Sequence, residues 1–201
     1  MIMIKKLYIL AVILSFTCQY TTAQDRAGFY AGGNLANLSG DADGNSKFGL
    51  MFGISFGELE LADRFYLEPD LQYSQQGLLD GGNIVSGDVL NGKTKLDYIN
   101  LAGNFKYDTY LFKLYAGPQV GYLINAIREN DEGDETDLID DVSKFEYGVN
   151  LGAEFCPAGT LFLRLEYNLG LSNIYDDSKE GFNDEEINNS VFSFCIGLRF
   201  D

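Results

Sequence analysis

The sequence predicts an all-β fold, an eight-stranded antiparallel up-and-down barrel, and three observations carry that prediction. Apolar residues alternate with small or polar ones, at a period of two, through eight separate segments. Short turns and long polar loops alternate between those segments. The composition suits strands, with 15 Phe and 13 Tyr but only 3 Pro to interrupt a ladder.

The elements follow in chain order. Residues 29–38 and 48–56 are glycine-rich versions of the alternation, and 65–73 and 98–105 continue it. In 112–124, Phe112, Leu114, Ala116, Pro118, Val120, Tyr122 and Ile124 share one face, opposite Lys113, Tyr115, Gly117, Gln119 and Gly121. Residues 145–155 set Phe145, Tyr147, Val149 and Leu151 against Glu146, Gly148, Asn150 and Gly152. The clearest case is 161–171, where Leu161, Leu163, Leu165, Tyr167, Leu169 and Leu171 oppose Phe162, Arg164, Glu166, Asn168 and Gly170. The last segment, 192–200, repeats it with Phe192, Phe194, Ile196, Leu198 and Phe200. Short connections fall at 59–64, 107–110 and 156–160, and long ones at 39–46, 76–95, 126–143 and 173–189. That rhythm puts all short turns and both chain ends on one rim.

Alternation alone leaves open which face points inward. Volume decides it, because eight strands enclose only enough space for side chains, and packing every Phe, Tyr and Leu of these rows inside would overfill it. The opposite rows of Gly, Asn, Ser and Gln suit a narrow lumen. Segments of about ten residues also match a tilted membrane-crossing strand. The expected fold is therefore an eight-stranded antiparallel up-and-down transmembrane β-barrel, with Tyr and Phe near strand ends as interfacial girdles.

The start of the chain predicts export. Lys5 and Lys6 precede an apolar run over residues 7–16, and Thr21-Thr22-Ala23 places small residues before a cleavage point after Ala23. The run is about half of what a spanning helix needs, and Phe16 before Cys18 spoils a lipoprotein signal. The division is thus a Sec-type signal peptide over 1–23 and a barrel domain over 24–201. The mature chain of 178 residues keeps 30 acids against 12 bases, a charge of −18. Cys156 and Cys195 remain, and both are expected as free or weakly coupled thiols.

Charge and composition exclude several function classes. A chain of net charge −16 has no basic surface for phosphates, so nucleic acid is not an expected partner. With no His, the commonest general base and zinc ligand are missing, and the expectation is a non-enzyme without cofactor or metal site. Gly53-Ile54-Ser55-Phe56-Gly57 matches a nucleophile-elbow spacing, but that motif needs a following helix and a His. Ser55 reads instead as a small lumen residue. Asp41-Ala42-Asp43-Gly44-Asn45 opens like a calcium loop and lacks the distal bidentate Glu, so it reads as a glycine-containing loop. The four long connections hold 18 of the 30 acids, which places the negative charge on solvated loops able to attract divalent cations diffusely or a basic protein partner.

The segments GFYAGGNLANLSG, YAGPQVGYLIN, LRLEYNLGLSNI and FSFCIGLRF resemble the PorT-like outer-membrane β-barrel family of Gram-negative bacteria, over essentially the whole mature chain. The resemblance implies outer-membrane localisation, lipid as the surrounding partner, and recognition of the aromatic-ended last strand by the assembly machinery. In this chain that aromatic, Phe200, is penultimate, followed by Asp201. The family is functionally mixed, with some members tied to protein secretion.

Strand direction and face together gather one set of charges. With the chain entering at the periplasmic rim, Glu68, Asp70, Lys106, Lys113, Glu154, Arg164, Glu166 and Arg199 fall on the lumen face of the periplasmic half. Desolvated charges must pair, so a compensated network is expected, with Arg164 near Glu154 or Glu166, plugging the lumen. The function expected is a structural or surface-interaction role through acidic extracellular loops. An accessory part in secretion or envelope assembly is the alternative, with a narrow porin or a membrane-embedded enzyme ranked below both.

Overall fold

The computed structural model describes residues 27–40, 45–79, 92–130, 133–139, 142–173 and 187–200. The expected signal segment 1–23 and Asp41–Gly44 of the calcium-like motif lie outside the described residues. Eight long strands form the wall: β1 (Gly28–Gly40), β2 (Asn45–Ser55), β4 (Phe65–Leu79), β5 (Gly92–Asp108), β6 (Lys113–Asn130), β8 (Phe145–Ala158), β9 (Leu161–Gly170) and β10 (Ile187–Arg199). Two short strands, β3 (Leu59–Ala62) and β7 (Glu135–Asp137), add to β4 and β6. All pairings are antiparallel between chain neighbours, and β1 with β10 and β2 with β4 complete a closed ring.

The alternating rows face as the volume argument requires. Leu165 and Phe194, at 46% and 51% exposure, stand outside, while Arg164, Glu166, Ser193 and Cys195 are buried inside. Cys195 and the exposed Cys156 are both free thiols.

The ladders run further than the apolar rows. Connections expected at 39–46, 76–95 and 126–143 are partly strand, since β1 reaches Gly40, β2 begins at Asn45, β4 reaches Leu79, β5 begins at Gly92 and β6 reaches Asn130. The physical reason is that backbone pairing needs no apolar side chain, so a hairpin can project past the lipid-facing belt with polar residues on its faces.

The wall is unevenly zipped. β1 and β10 align through thirteen consecutive residue pairs, from Gly28 opposite Arg199 to Gly40 opposite Ile187. β2 and β4 align through seven, and their register shifts between Ser46 and Met51. Across that gap Lys47 donates from Nζ to the Gln76 carbonyl at 2.7 Å, and the Leu50 amide donates to Gln75 Oε1 at 3.3 Å. Gly77 opposite this gap takes a φ of 123°, a backbone that suits glycine alone.

The lumen is layered. At the loop rim Leu78, Leu96, Tyr98, Leu123, Ala126, Leu138 and Val142 form an apolar cap. This corrects the reading of 126–143 as a purely solvated acidic segment, because Leu138 and Val142 from within it turn inward and bury. Their burial among charged neighbours shows an apolar anchor inside a polar connection, and β7 holds it in place through Leu138 N donating to the Ala126 carbonyl at 2.9 Å. Leu138→Ala should lower the unfolding free energy by about 2 kcal/mol, the low end for a buried leucine. The urea midpoint of the boiled-versus-unboiled mobility shift in detergent checks it, and an unchanged midpoint would return the segment to a mere linker.

Toward the turn rim three aromatics point inward, each seated on a glycine directly across the ladder: Tyr30 on Gly53, Tyr115 on Gly152 and Phe162 on Gly197. A Cβ on those glycines would come within 2.1–2.2 Å of the facing ring. The missing side chain is therefore what makes room for the ring.

Candidate functional site

Below the aromatics lies the charged centre of the lumen. Arg164 on β9 is fully buried and donates to three carboxylates, from Nη1 to Asp70 Oδ2 at 2.7 Å and from Nη2 to Glu68 Oε1 at 2.6 Å and Glu154 Oε2 at 3.0 Å. Glu154 sits on the adjacent strand, opposite Arg164 in the ladder. Glu68 and Asp70 come from β4, four strands away in either direction around the ring, so Arg164 spans the full width of the lumen.

Two further cations share the same carboxylates. Lys106 Nζ lies 2.7 Å from Glu68 Oε1 and 3.0 Å from Glu154 Oε2. Arg199 reaches Glu68 Oε2 at 2.8 Å and Glu154 Oε1 at 2.7 Å. Asn104 completes the Asp70 side by donating from Nδ2 to Oδ2 at 2.9 Å. Glu68 and Glu154 thus each bridge three cations, which ties β4, β5, β8, β9 and β10 into one lattice.

The aromatics roof this lattice. The Arg164 guanidinium carbon stands 4.6 Å from the Tyr30 ring centre and 5.4 Å from those of Tyr115 and Phe162, and that of Arg199 is 4.7 Å from Phe162. Ring faces offer negative potential to cations that have left water, and they shield the charge from the layer above.

Of the residues expected in the network, Glu68, Asp70, Lys106, Glu154, Arg164 and Arg199 meet directly. Glu166 does not contact Arg164, its neighbour two residues along the same strand. It accepts from Tyr115 Oη at 2.8 Å and Gln72 Nε2 at 3.3 Å instead, one layer higher. Lys113 sits at the rim and pairs with Glu58.

Glu58 is the residue that sequence reasoning missed. It lies beyond the end of β2, where strand parity no longer assigns a face, yet it contacts Lys106 at 3.4 Å and Arg199 at 3.1 Å as well as Lys113. Gly57, with a φ of 95°, is the turn that brings it over the lumen mouth. An acid directly after a glycine at a strand end was the available signal. With Glu58, four acids meet four bases, and Glu166 stands one layer above them.

Ser55 ends β2 buried on the lumen face, and residues 56–58 lead into β3 and not into a helix, so the elbow spacing lacks its structural context.

Comparison with known proteins follows this architecture. Neisserial surface protein A is 15% identical over 87% of this chain and 97% of that one, with a TM-score of 0.58. Ail, the attachment invasion locus protein of Yersinia pestis, is 14% identical over 89% and 100%, with a TM-score of 0.50. These likenesses show the fold. No curated protein sequence matches the chain. The model of the outer membrane protein β-barrel domain matches residues 8–200, nearly the full length. The chain therefore belongs to the outer membrane protein β-barrel family, and its apolar exterior lies against the lipids of an outer membrane.

Proposed function

We propose that this protein acts through its loop rim, as a non-enzymatic surface-interaction barrel whose lumen is closed to solutes. The observation that carries this reading is the Arg164-centred lattice, which crosses the full lumen and uses its charged groups on one another. A second layer, the apolar cap of Leu78, Leu96, Tyr98 and Leu138, stands between the lattice and the loop rim. With the interior filled at two levels, the surfaces left for recognition are the rims.

In this reading the signal peptide over 1–23 is removed, the short turns face the periplasm, and the acidic loops face outward. Assembly proceeds through the aromatic last strand ending at Phe200. The acidic loops favour a partner with a basic surface, by long-range attraction that salt screens. The names of the fold relatives, a surface protein and an attachment protein, agree with a rim-based role.

Two measurements test the proposal. In planar bilayers the unmutated protein should show little conductance, and a large steady water-filled conductance would replace this reading with a porin. In crosslinked pull-downs from native membranes, a basic partner should be captured by the unmutated chain and lost when Asp176, Asp177, Glu180, Asp184, Glu185 and Glu186 are neutralised. Retrieval of secretion or envelope-assembly proteins through the short turns, insensitive to those substitutions, would favour the PorT-like accessory role.

A further inference from the structure

At the turn rim the mouth of the lumen is framed by three cations that close on one carboxylate. Lys106 and Arg199 reach Glu58 Oε1 at 3.4 and 3.1 Å, and Lys113 holds Oε2. Both oxygens are engaged, yet the contact lies within reach of solvent, with the side chains of Glu58 and Lys113 at 14% and 19% exposure. The deeper carboxylates of the lattice, Glu68, Asp70 and Glu154, are sealed from water.

The frame and its occupant are built differently. Lys106, Lys113 and Arg199 stand on β5, β6 and β10, in ladder positions opposite Tyr115, Glu154 and Gly28. Glu58 stands on none of the long strands. It follows Gly57, whose φ is 95°, and leads into β3, which is exposed over 60–62 and aligns with β4 through three residue pairs whose register shifts between Glu60 and Ala62. The wall therefore fixes the cations, whereas the carboxylate hangs on a segment that a few solvent-exposed backbone bonds retain, the kind that opens locally without the rest.

Charge gives the class of ligand. With Glu58 in place, Lys106, Lys113, Arg164 and Arg199 face Glu58, Glu68, Asp70 and Glu154, four against four. Without it one positive charge is left over, and Lys113 keeps no carboxylate among the described residues. The vacated place calls for one negative charge spread over two oxygens, which is a carboxylate and not a dianion. We propose that the mouth is a binding site for a small monocarboxylate, which the chain fills with its own Glu58 and which a free ligand opens by displacing that side chain. A carboxylate on a short tether competes as though present at roughly millimolar concentration, so the free ligand acts only beyond that level.

The test uses the full mature protein folded in an uncharged detergent. For Glu58→Ala the apparent thermal midpoint is compared in sodium acetate, sodium chloride and sodium sulfate at equal ionic strength. Acetate at ten times its dissociation constant should raise the midpoint by roughly 3–6 °C over the other two salts. Adding Lys113→Gln should abolish the gain, and Glu60→Ala, which removes an exposed acid of β3 and leaves Glu58 in place, should show none. Equal midpoints in the three salts would overturn the site, and so would a gain that survives Lys113→Gln. In the unmutated protein, hydrogen exchange of the β3 amides should quicken in acetate far above millimolar and stay unchanged in chloride of the same ionic strength. Identical exchange in the two salts would overturn the displacement. Should Glu58→Ala fail to fold, this second measurement decides by itself.

Discussion

Replacing Arg164 by alanine should destabilise the barrel by about 3–5 kcal/mol, the cost of stranding buried charge. The number follows from which groups are left behind. Asp70 loses its only cationic contact among the described residues and keeps Asn104, whereas Glu68 and Glu154 retain Lys106 and Arg199. The vacated side chain also opens the axis of the lumen, since Arg164 reaches across it from β9 to Glu68 and Asp70 on β4. Heat denaturation in detergent should show an earlier loss of the compact electrophoretic form, and bilayer recordings should show a leak that the unmutated protein lacks. Arg164→Lys should recover part of the stability, because one ammonium replaces the charge but not the fork that bridges two strands. A variant with unchanged midpoint and closed recordings would show that the lattice neither stabilises nor seals. Buried ion pairs add little compared with well-packed apolar residues, so the loss expected here comes from the carboxylates left without a partner.

The second large effect concerns a residue with no side chain. Gly197→Val should destabilise the fold by at least about 1–3 kcal/mol, the usual cost of overpacking. A Cβ there would sit 2.2 Å from Phe162 Cζ, and the ring has no free direction, being fully buried with Arg164 and Arg199 stacked against it. Displacing the ring would move both guanidinium groups off their carboxylates, so the substitution should also raise conductance. Gly159→Ala is the matched control, since nothing lies within 4 Å of the position its Cβ would take. If Gly197→Val and Gly159→Ala unfold at the same denaturant concentration, the ring is not held by its glycine.

Much of this architecture was legible in the residues. Period-two alternation from Leu161 to Leu171 states both the strand and its faces, and interior volume settles which face is lipid-exposed. Strand parity likewise placed Glu68, Asp70, Lys106, Glu154, Arg164 and Arg199 on one side of the wall. What parity does not carry is distance across the lumen. Arg164 has two β4 partners that no local spacing relates to it, being 94 and 96 residues away in sequence, whereas the nearby Glu154 and Glu166 were the natural guesses and only Glu154 meets it. Glu58 escaped because it sits past a strand end, where a glycine turn and not alternation sets its direction. The ends of the ladders escaped for a related reason: β6 continues to Asn130 through residues whose polarity reads as loop. Leu138 and Val142 lie in an acidic stretch whose net charge concealed two inward anchors.

The interrupted alignment of β2 with β4 gives the wall a preferred line of failure. A closed cylinder carries hoop stress equally around its circumference, so it parts where the fewest backbone bonds cross a seam. Thirteen paired positions hold the chain ends together at β1 and β10, while seven hold β2 to β4, and side chains from Lys47 and Gln75 stitch the remainder. The weakest join thus lies away from the termini, between the first two hairpins near the loop rim. Stitches made by side chains can be undone without unravelling the strands on either side. The ionic lattice, at the other rim, clamps β4 to β8, β9 and β10 and leaves β2 outside its grip. Strain entering from the surrounding lipid would therefore be relieved as a slit along one seam, with the rest of the cylinder keeping its shape.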